Sequence, residues 1–157
     1  MINKTVERIC EVLASKLEKR IIMRRDGKPY LERYYILHSD SISWLPGIYL
    51  HKFLSSDEDP ELHDHPWGTS VSFVLTGGYF EEYRYADARN RYRSNVRMLG
   101  PGRINIIHAD TFHRVDLIED HAWTLFMSGE RKQDWGFWDQ ETGNYTPWRE
   151  HVGKKIK

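Results

Sequence analysis

The chain has 157 residues, 39% hydrophobic and 29% charged, and its 23 basic side chains are balanced by 23 acidic ones. This length suits one domain with its own hydrophobic core, and the lack of a basic excess argues against a nucleic-acid-binding protein. The one cysteine, Cys10, excludes an internal disulfide and a zinc site built from thiolates.

The first 18 residues predict a helix, with Asn3 or Thr5 as its N-cap. Its apolar side chains recur at helical spacing, at Val6, Ile9, Cys10, Leu13 and Leu17. Cys10 is expected to be a small buried side chain. Because no apolar signal peptide precedes this helix and no segment is long enough to span a bilayer, we expect a cytoplasmic protein that does not engage a membrane.

Residues 19–130 predict a series of short β-strands separated by turns. Asp26-Gly27, Pro46-Gly47, Gly77-Gly78 and the Gly-Pro-Gly at 100–102 mark the turns. The predicted strands are 19–24, 30–38, 47–54, 69–76, 79–85, 92–99, 103–107, 112–118 and 121–128. Short strands at even spacing favour an all-β barrel or sandwich, and we expect 1–157 to form a single domain.

Three histidines form the main functional pattern. His63 and His65 are two residues apart in the segment HDHPW, so in an extended chain both side chains point to the same face. Two imidazoles suit a transition metal, but a tight site needs a third ligand. His113, in DTFHRV, is the best candidate. His38, His51, His121 and His151 are each expected to be structural, although His51 could face the interior, and His108 lies close enough to His113 to support it.

The two histidine segments resemble the motifs of the cupin superfamily. HDHPWGTSVSFVLTGGYFEEY is similar to the first cupin motif, with HxH on one strand and Gly77-Gly78 in the following turn. HADTFHRV is similar to the second motif, whose histidine corresponds to His113. The resemblance spans roughly residues 45–130 and implies a small antiparallel β-barrel of jelly-roll type with a metal at its open end.

One position departs from the common cupin pattern. Many cupins carry a metal-binding glutamate after HxH, where this chain has Thr69 and Ser70. The resemblance therefore implies a site of three neutral histidines, similar to the thiol dioxygenase branch, which includes cysteine dioxygenase and holds ferrous iron. Fe(II) is the favoured metal, with Zn, Ni or Mn as alternatives. Asp64 or Asp110 could still add a carboxylate.

Three functions fit this pattern. The first is an iron-dependent dioxygenase acting on a small polar molecule. The second is a metal-assisted isomerase or epimerase, of sugars for example, and the third is a cupin that binds a small ligand without catalysis or contributes to an assembly. Arg103 or Arg84 could contact a substrate carboxylate, although a solvated role is the simpler interpretation. A homodimer is compatible with the sequence.

Residues 131–157 are rich in aromatic side chains, including Trp135, Trp138 and Trp148. They could form a stacking platform for a ligand. We favour packing against the barrel, with the three tryptophans mostly buried and the sequence TGN forming a hairpin turn.

Overall fold

The computed structural model describes residues 2–24, 26–37, 46–86 and 92–154, so the structural role predicted for His38 lies outside the described residues. Within these ranges the chain forms two helices and twelve strands. Their bounds are α1 Lys4–Ala14, β1 Lys19–Met23, β2 Pro29–Leu37, β3 Gly47–Phe53, β4 Leu62–His63, β5 Thr69–Thr76, β6 Tyr79–Ala86, β7 Tyr92–Leu99, β8 Ile104–His108, β9 Phe112–Leu117, β10 Ala122–Ser128, β11 Gly136–Trp138, β12 Tyr145–Pro147 and α2 Trp148–Lys154. Neither helix is long and apolar enough to cross a membrane.

The strands form two six-stranded antiparallel sheets. The first has the order β1-β2-β3-β10-β5-β8, and the second has the order β12-β11-β4-β9-β6-β7. The all-β prediction is confirmed, and the arrangement fits a jelly roll. Neither sheet closes into a barrel, so the structure is better described as two facing sheets, which the predicted strands alone could not distinguish from a closed barrel.

Helix α1 packs on the outside of the first sheet. Asn3 caps it, since its side chain accepts hydrogen bonds from the backbone N–H groups of Thr5 and Val6. Cys10 and Ala14 are buried against the sheet side chains Tyr34, Leu50 and Trp123. The buried stripe is narrower than the predicted one, because Ile9 and Leu13 lie outside it and are 55% and 53% exposed.

Strands β2 and β3 present opposite faces to the helix and to the interior. Tyr34 and Leu50 face α1, and the alternation of a strand turns the next residues, Arg33 and His51, to the other face. Arg33 and His51 are direct partners across the two strands. This face of the first sheet forms one wall of a cavity of about 610 Å³, which places polar groups of β2 and β3 inside the fold.

The aromatic C-terminal segment adds strands to the second sheet. Strands β11 and β12 form the expected hairpin, and β11 also pairs with β4, where Phe137 is opposite His63. Trp135, Trp138 and Trp148 are half-buried, less than we expected. Trp135 stacks on Trp148 with ring centroids 5.7 Å apart. The segment is thus continuous with the sheet that carries the histidines.

Candidate metal centre

The segment HDH is positioned by the second sheet. His63 ends β4 and is paired with His113 on β9. His65 lies two residues further on and faces the same cavity. Asp64, between them, points the other way: its carboxylate accepts hydrogen bonds from Gly136 N at 2.7 Å and Gln133 Nε2 at 3.1 Å. The carboxylate of Asp64 therefore anchors the C-terminal segment.

The structure brings together the three predicted histidines. Ring centroids of His63, His65 and His113 are 4.8 to 5.2 Å apart in the three pairs. The Nε2 atoms of His65 and His113 are 2.8 Å apart. One ligand nitrogen from each ring lies within 4.8 Å of the other two, and no carboxylate of the described residues belongs to this group.

This spacing fits a shared metal ion. Two imidazole nitrogens bound at right angles, each about 2.1 Å from one ion, would be about 3.0 Å apart, close to the separation of the two Nε2 atoms. Burial lowers the pKa of His63 to about 4. Burial, then the neighbouring His113 and His63, also lower the pKa of His65 well below its usual value. Both rings are therefore neutral near pH 7 and have nitrogen lone pairs to offer.

Glu81 holds the His113 ring in place. It is fully buried on β6, and Nδ1 of His113 donates a hydrogen bond to its Oε1 at 2.6 Å. Burial opposes ionisation of this carboxylate, but hydrogen bonds from His113 and Asn105 and the charge of Arg97 keep its pKa at about 2. With Nδ1 committed to Glu81, Nε2 of His113 remains for a ligand, as in many metal-binding histidines.

His63 has a looser acidic neighbour in Asp57. Its Nδ1 lies 3.7 Å from Oδ2 of Asp57, too far for a hydrogen bond. Asp57 itself is fixed by the backbone N–H of Val115 at 2.7 Å and by the hydroxyl of Tyr30. The carboxylate thus lies close to one face of the histidine group.

The three rings line a cavity of about 610 Å³. Its walls near the histidines are aromatic: Trp67 stacks on His65 at 5.7 Å, and Trp135 and Phe137 lie 6.5 and 6.2 Å from His63. A cavity of this volume accommodates a small molecule, and apolar walls limit the access of bulk water. Both sheets and the C-terminal segment contribute to it.

The other predicted site residues occupy different places. His51 is buried and lines the cavity on the first sheet, where Nε2 accepts a hydrogen bond from Nε of Arg33 at 3.1 Å. Neither His108 nor Asp110 nor Arg103 lines the cavity, and all three are exposed. Arg84 lies over the ring of Trp138 at 4.3 Å, outside the cavity lining.

A second group of potential ligands lies at the same cavity. Asp59, Glu61 and His151 have ligand atoms within 4.8 Å of one another. His151 is buried, stacks on Phe137 at 3.8 Å and lies 3.1 Å from Oδ2 of Asp59. These contacts tie helix α2 to the loop before β4, and so agree with the structural role predicted for His151.

Sequence reasoning missed two residues that shape the site, Glu81 and Arg33. Strand β6 contains adjacent glutamates, and alternation alone does not tell which one faces inward. Its pairing with β9, where Tyr83 is opposite His113, places Glu81 diagonally across from that histidine. Arg33 could have been suspected from the alternation of Leu31, Arg33 and Tyr35, an unusual place for a cation.

No protein-family description and no curated protein matches the chain. Solved structures share its fold. Fe(II)-HppE with the alternative substrate (S)-1-HPP has a TM-score of 0.51 and 15% identity, over 71% of this chain and 56% of that one. The hydroxypropylphosphonic acid epoxidase from S. wedmorenis has a TM-score of 0.51 and 14% identity, over 71% and 55% of the two chains.

An oxalate decarboxylase also has a TM-score of 0.51 and 15% identity, over 75% of this chain and 28% of the decarboxylase. The chain spans little more than half the length of the epoxidase chains it matches. These are cupin-fold proteins, so the jelly-roll fold expected from the two histidine motifs is confirmed. Such distant similarity concerns the fold, and the chemistry has to be argued from the site.

Proposed function

We propose that the chain is a mononuclear metal enzyme in which His63, His65 and His113 bind one divalent transition metal. Fe(II) is the favoured ion, and the favoured reaction is a dioxygenase reaction on a small polar molecule. One observation supports this most strongly: three imidazoles converge in the wall of a 610 Å³ cavity, without a carboxylate among them. This ligand set is also the basis of the proposed similarity to thiol dioxygenases.

When bound, a divalent ion on three neutral ligands would keep its full charge and attract an anionic substrate group. The side chains around the site would orient the histidine rings and limit the access of water to the cavity. Glu81 fixes the His113 ring through Nδ1, Trp67 packs along His65, and Trp135 narrows the cavity next to His63. Fixed histidine rings and an apolar cavity wall would place a small substrate near the ligands and reduce competition from water.

Metal analysis tests the first half of the proposal. Untagged protein loaded anaerobically with Fe(II) should retain about one equivalent. His63→Ala, His65→Ala and His113→Ala should each lose most of it, whereas His151→Ala should keep it. The proposal fails if the wild-type chain binds none of Fe(II), Zn, Ni or Mn, or if only His151→Ala loses the metal, since that result would assign binding to the second group.

Oxygen uptake tests the reaction class. The Fe(II)-loaded chain should consume dioxygen when offered a substrate from a panel of small thiols, hydroxy acids and sugars, and the Zn-loaded chain should not. Product formed by the Zn form without oxygen uptake would contradict the dioxygenase assignment and favour a metal-assisted isomerase.

A further inference from the structure

We propose that Arg33, with Arg20 beside it, binds an anionic carboxylate, phosphate or phosphonate group of the substrate at the end of the cavity formed by the first sheet. This inference defines the substrate class of the proposed enzyme and so rests on the proposed function. It replaces the two arginines suggested by the sequence, which lie outside the cavity lining.

Arg33 is a half-buried cation without an acidic partner among the described residues. It lines the cavity from β2, and its one hydrogen bond to a described residue runs from Nε to Nε2 of His51 at 3.1 Å. Burial lowers the pKa of Arg33 from its usual value, as expected for a cation that has lost water without gaining a carboxylate. A charge in this position is costly unless a ligand pairs with it.

The geometry leaves the binding end of Arg33 available. Its guanidinium lies over the Tyr49 ring, 5.0 Å from the centroid, and Nε is held by His51. His51 is itself held by stacking on Phe126 at 5.0 Å. The two terminal nitrogens of Arg33 donate to no described residue. A guanidinium fixed along one edge in this way presents its two remaining N–H groups as a fork that matches an oxyanion.

Arg20 strengthens the case, because it is directly opposite Arg33 on the adjacent strand β1. It also lines the cavity, at its exposed edge, and pairs with no acidic side chain of the described residues. Two like charges directly opposite each other on a sheet destabilise it. A bound anion between them would relieve this repulsion.

The site faces the three histidines across one cavity. Arg33 is close enough that its charge contributes to lowering the pKa of His65. The acidic residues of the lining belong to the loop before β4, where Asp57 is already held by Tyr30 and Val115. A small molecule could therefore place its anionic group on Arg33 and another group toward the histidines.

Calorimetric titration of the metal-loaded chain with methylphosphonate, inorganic phosphate, acetate and neutral acetamide tests the proposal. At least one anion should bind, and acetamide should not. Arg33→Gln should weaken that binding about tenfold or more, and Arg33→Lys less, because it keeps the charge and loses the fork. Arg20→Gln should weaken it by a smaller factor. Arg103→Gln, an exposed arginine outside the cavity, is the matched control and should bind like wild type.

Binding of acetate with little binding of phosphate would identify a carboxylate substrate. Binding of phosphate or methylphosphonate with little binding of acetate would identify a phosphate or phosphonate substrate. The inference is overturned if no anion binds, or if a folded Arg33→Gln or Arg33→Lys variant binds as tightly as wild type. The same titrations on chelator-treated protein separate the two proposals. If the wild-type chain binds none of the offered metals but still binds an anion through Arg33, the anion site is supported and the metal enzyme is refuted.

Discussion

The orientation of a single imidazole at this site depends on one buried carboxylate. Glu81 accepts hydrogen bonds from His113 at 2.6 Å and from Asn105 at 2.7 Å, and it is paired with Arg97 at 2.7 Å. The charge of this carboxylate is thus compensated on several sides. Only the ring nitrogen opposite Glu81 is left to contact a ligand.

Replacing Glu81 by Ala should therefore weaken metal binding by about 10- to 100-fold, the usual cost of losing the partner of a metal-bound histidine. Glu81→Gln should have a smaller effect, because an amide oxygen can still accept from Nδ1. Glu82→Gln is the control, since Glu82 neighbours it on the same strand but pairs with Arg114 on the outer face. Competition titration against a chelator measures the affinities, and equal affinities in Glu81→Ala and Glu82→Gln would refute the role of Glu81.

His51 gives a prediction about pH and folding. Burial, followed by the charge of Arg33, lowers the pKa of His51 well below its usual value. The folded chain therefore keeps this ring neutral, while the unfolded chain binds a proton below pH about 6.5. The free energy of unfolding should fall as the pH decreases from about 6.5, by up to about 1.4 kcal/mol per pH unit for this group.

His51→Gln keeps an acceptor for Arg33 and removes the titration. Urea unfolding of metal-free protein between pH 7 and 5 should give a shallower decline for this variant than for wild type. Parallel curves would mean that His51 does not contribute to the pH dependence.

The adjacent residues Glu81 and Glu82 face opposite sides of the sheet, and they illustrate which residues of the site the sequence could predict. His63, His65 and His113 were recognisable, because a spacing of two and a resemblance to known motifs both pointed to them. Glu81 was not, because its role comes from the pairing of β6 with β9, and Arg33 was visible only as an unusual cation alternating with Leu31 and Tyr35. Strands β6 and β9 are separated in the chain by β7 and β8, and local periodicity carries no information about such a pairing.

At the level of elements, the short hairpin β11–β12 supports the strand that carries His63. Phe137 pairs with His63, and the carboxylate of Asp64 accepts from Gly136 N. Gly136 allows β12 to approach β11 closely, because a Cβ there would lie 2.4 Å from the carbonyl oxygen of Thr146 and 2.8 Å from the Tyr145 ring. The C-terminal segment, expected to pack on the barrel, forms one edge of the second sheet, and its Trp135 and Phe137 line the cavity.

Gly136→Ala should accordingly lower the free energy of unfolding by about 1–3 kcal/mol, the usual cost of overpacking, and should reduce metal occupancy at His63. Gly100→Ala is the control, since a Cβ at Gly100 has nothing within 4 Å. Denaturant unfolding and metal analysis of both variants provide the comparison. A Gly136→Ala chain as stable and as well loaded as Gly100→Ala would show that the hairpin does not support the site.

The strands and the helix were largely predictable, and their arrangement was not. Alternation and turn residues located most strands between β1 and β10, and Asn3 was correctly placed among the candidate caps of α1. The assignment of β5 and β8 to one sheet and β6 and β7 to the other depends on pairings between distant segments. Whether such sheets close or stay open is decided by those pairings, and here they stay open.

For the whole molecule, the metal site should couple to folding because its ligands come from separate parts of the chain. His63 precedes β5, while His113 lies on β9, fifty residues later, so an ion joining them binds only the folded chain. A ligand at about 100 times its dissociation constant stabilises a protein by about 2.7 kcal/mol. For a domain of this size that corresponds to an increase in Tm of about 5–10 °C.

Thermal denaturation with and without added Zn²⁺, which avoids oxidation during heating, measures this coupling. Wild type should show the increase in Tm. His113→Ala should show none when its Tm with Zn²⁺ is compared with its own metal-free Tm. His151→Ala should be less stable without metal, because the stacking on Phe137 and the contact with Asp59 are lost, and should still gain the full increase. An equal increase in wild type and His113→Ala would mean that the ion stabilises the fold from another position, and the three-histidine centre would then have to be abandoned.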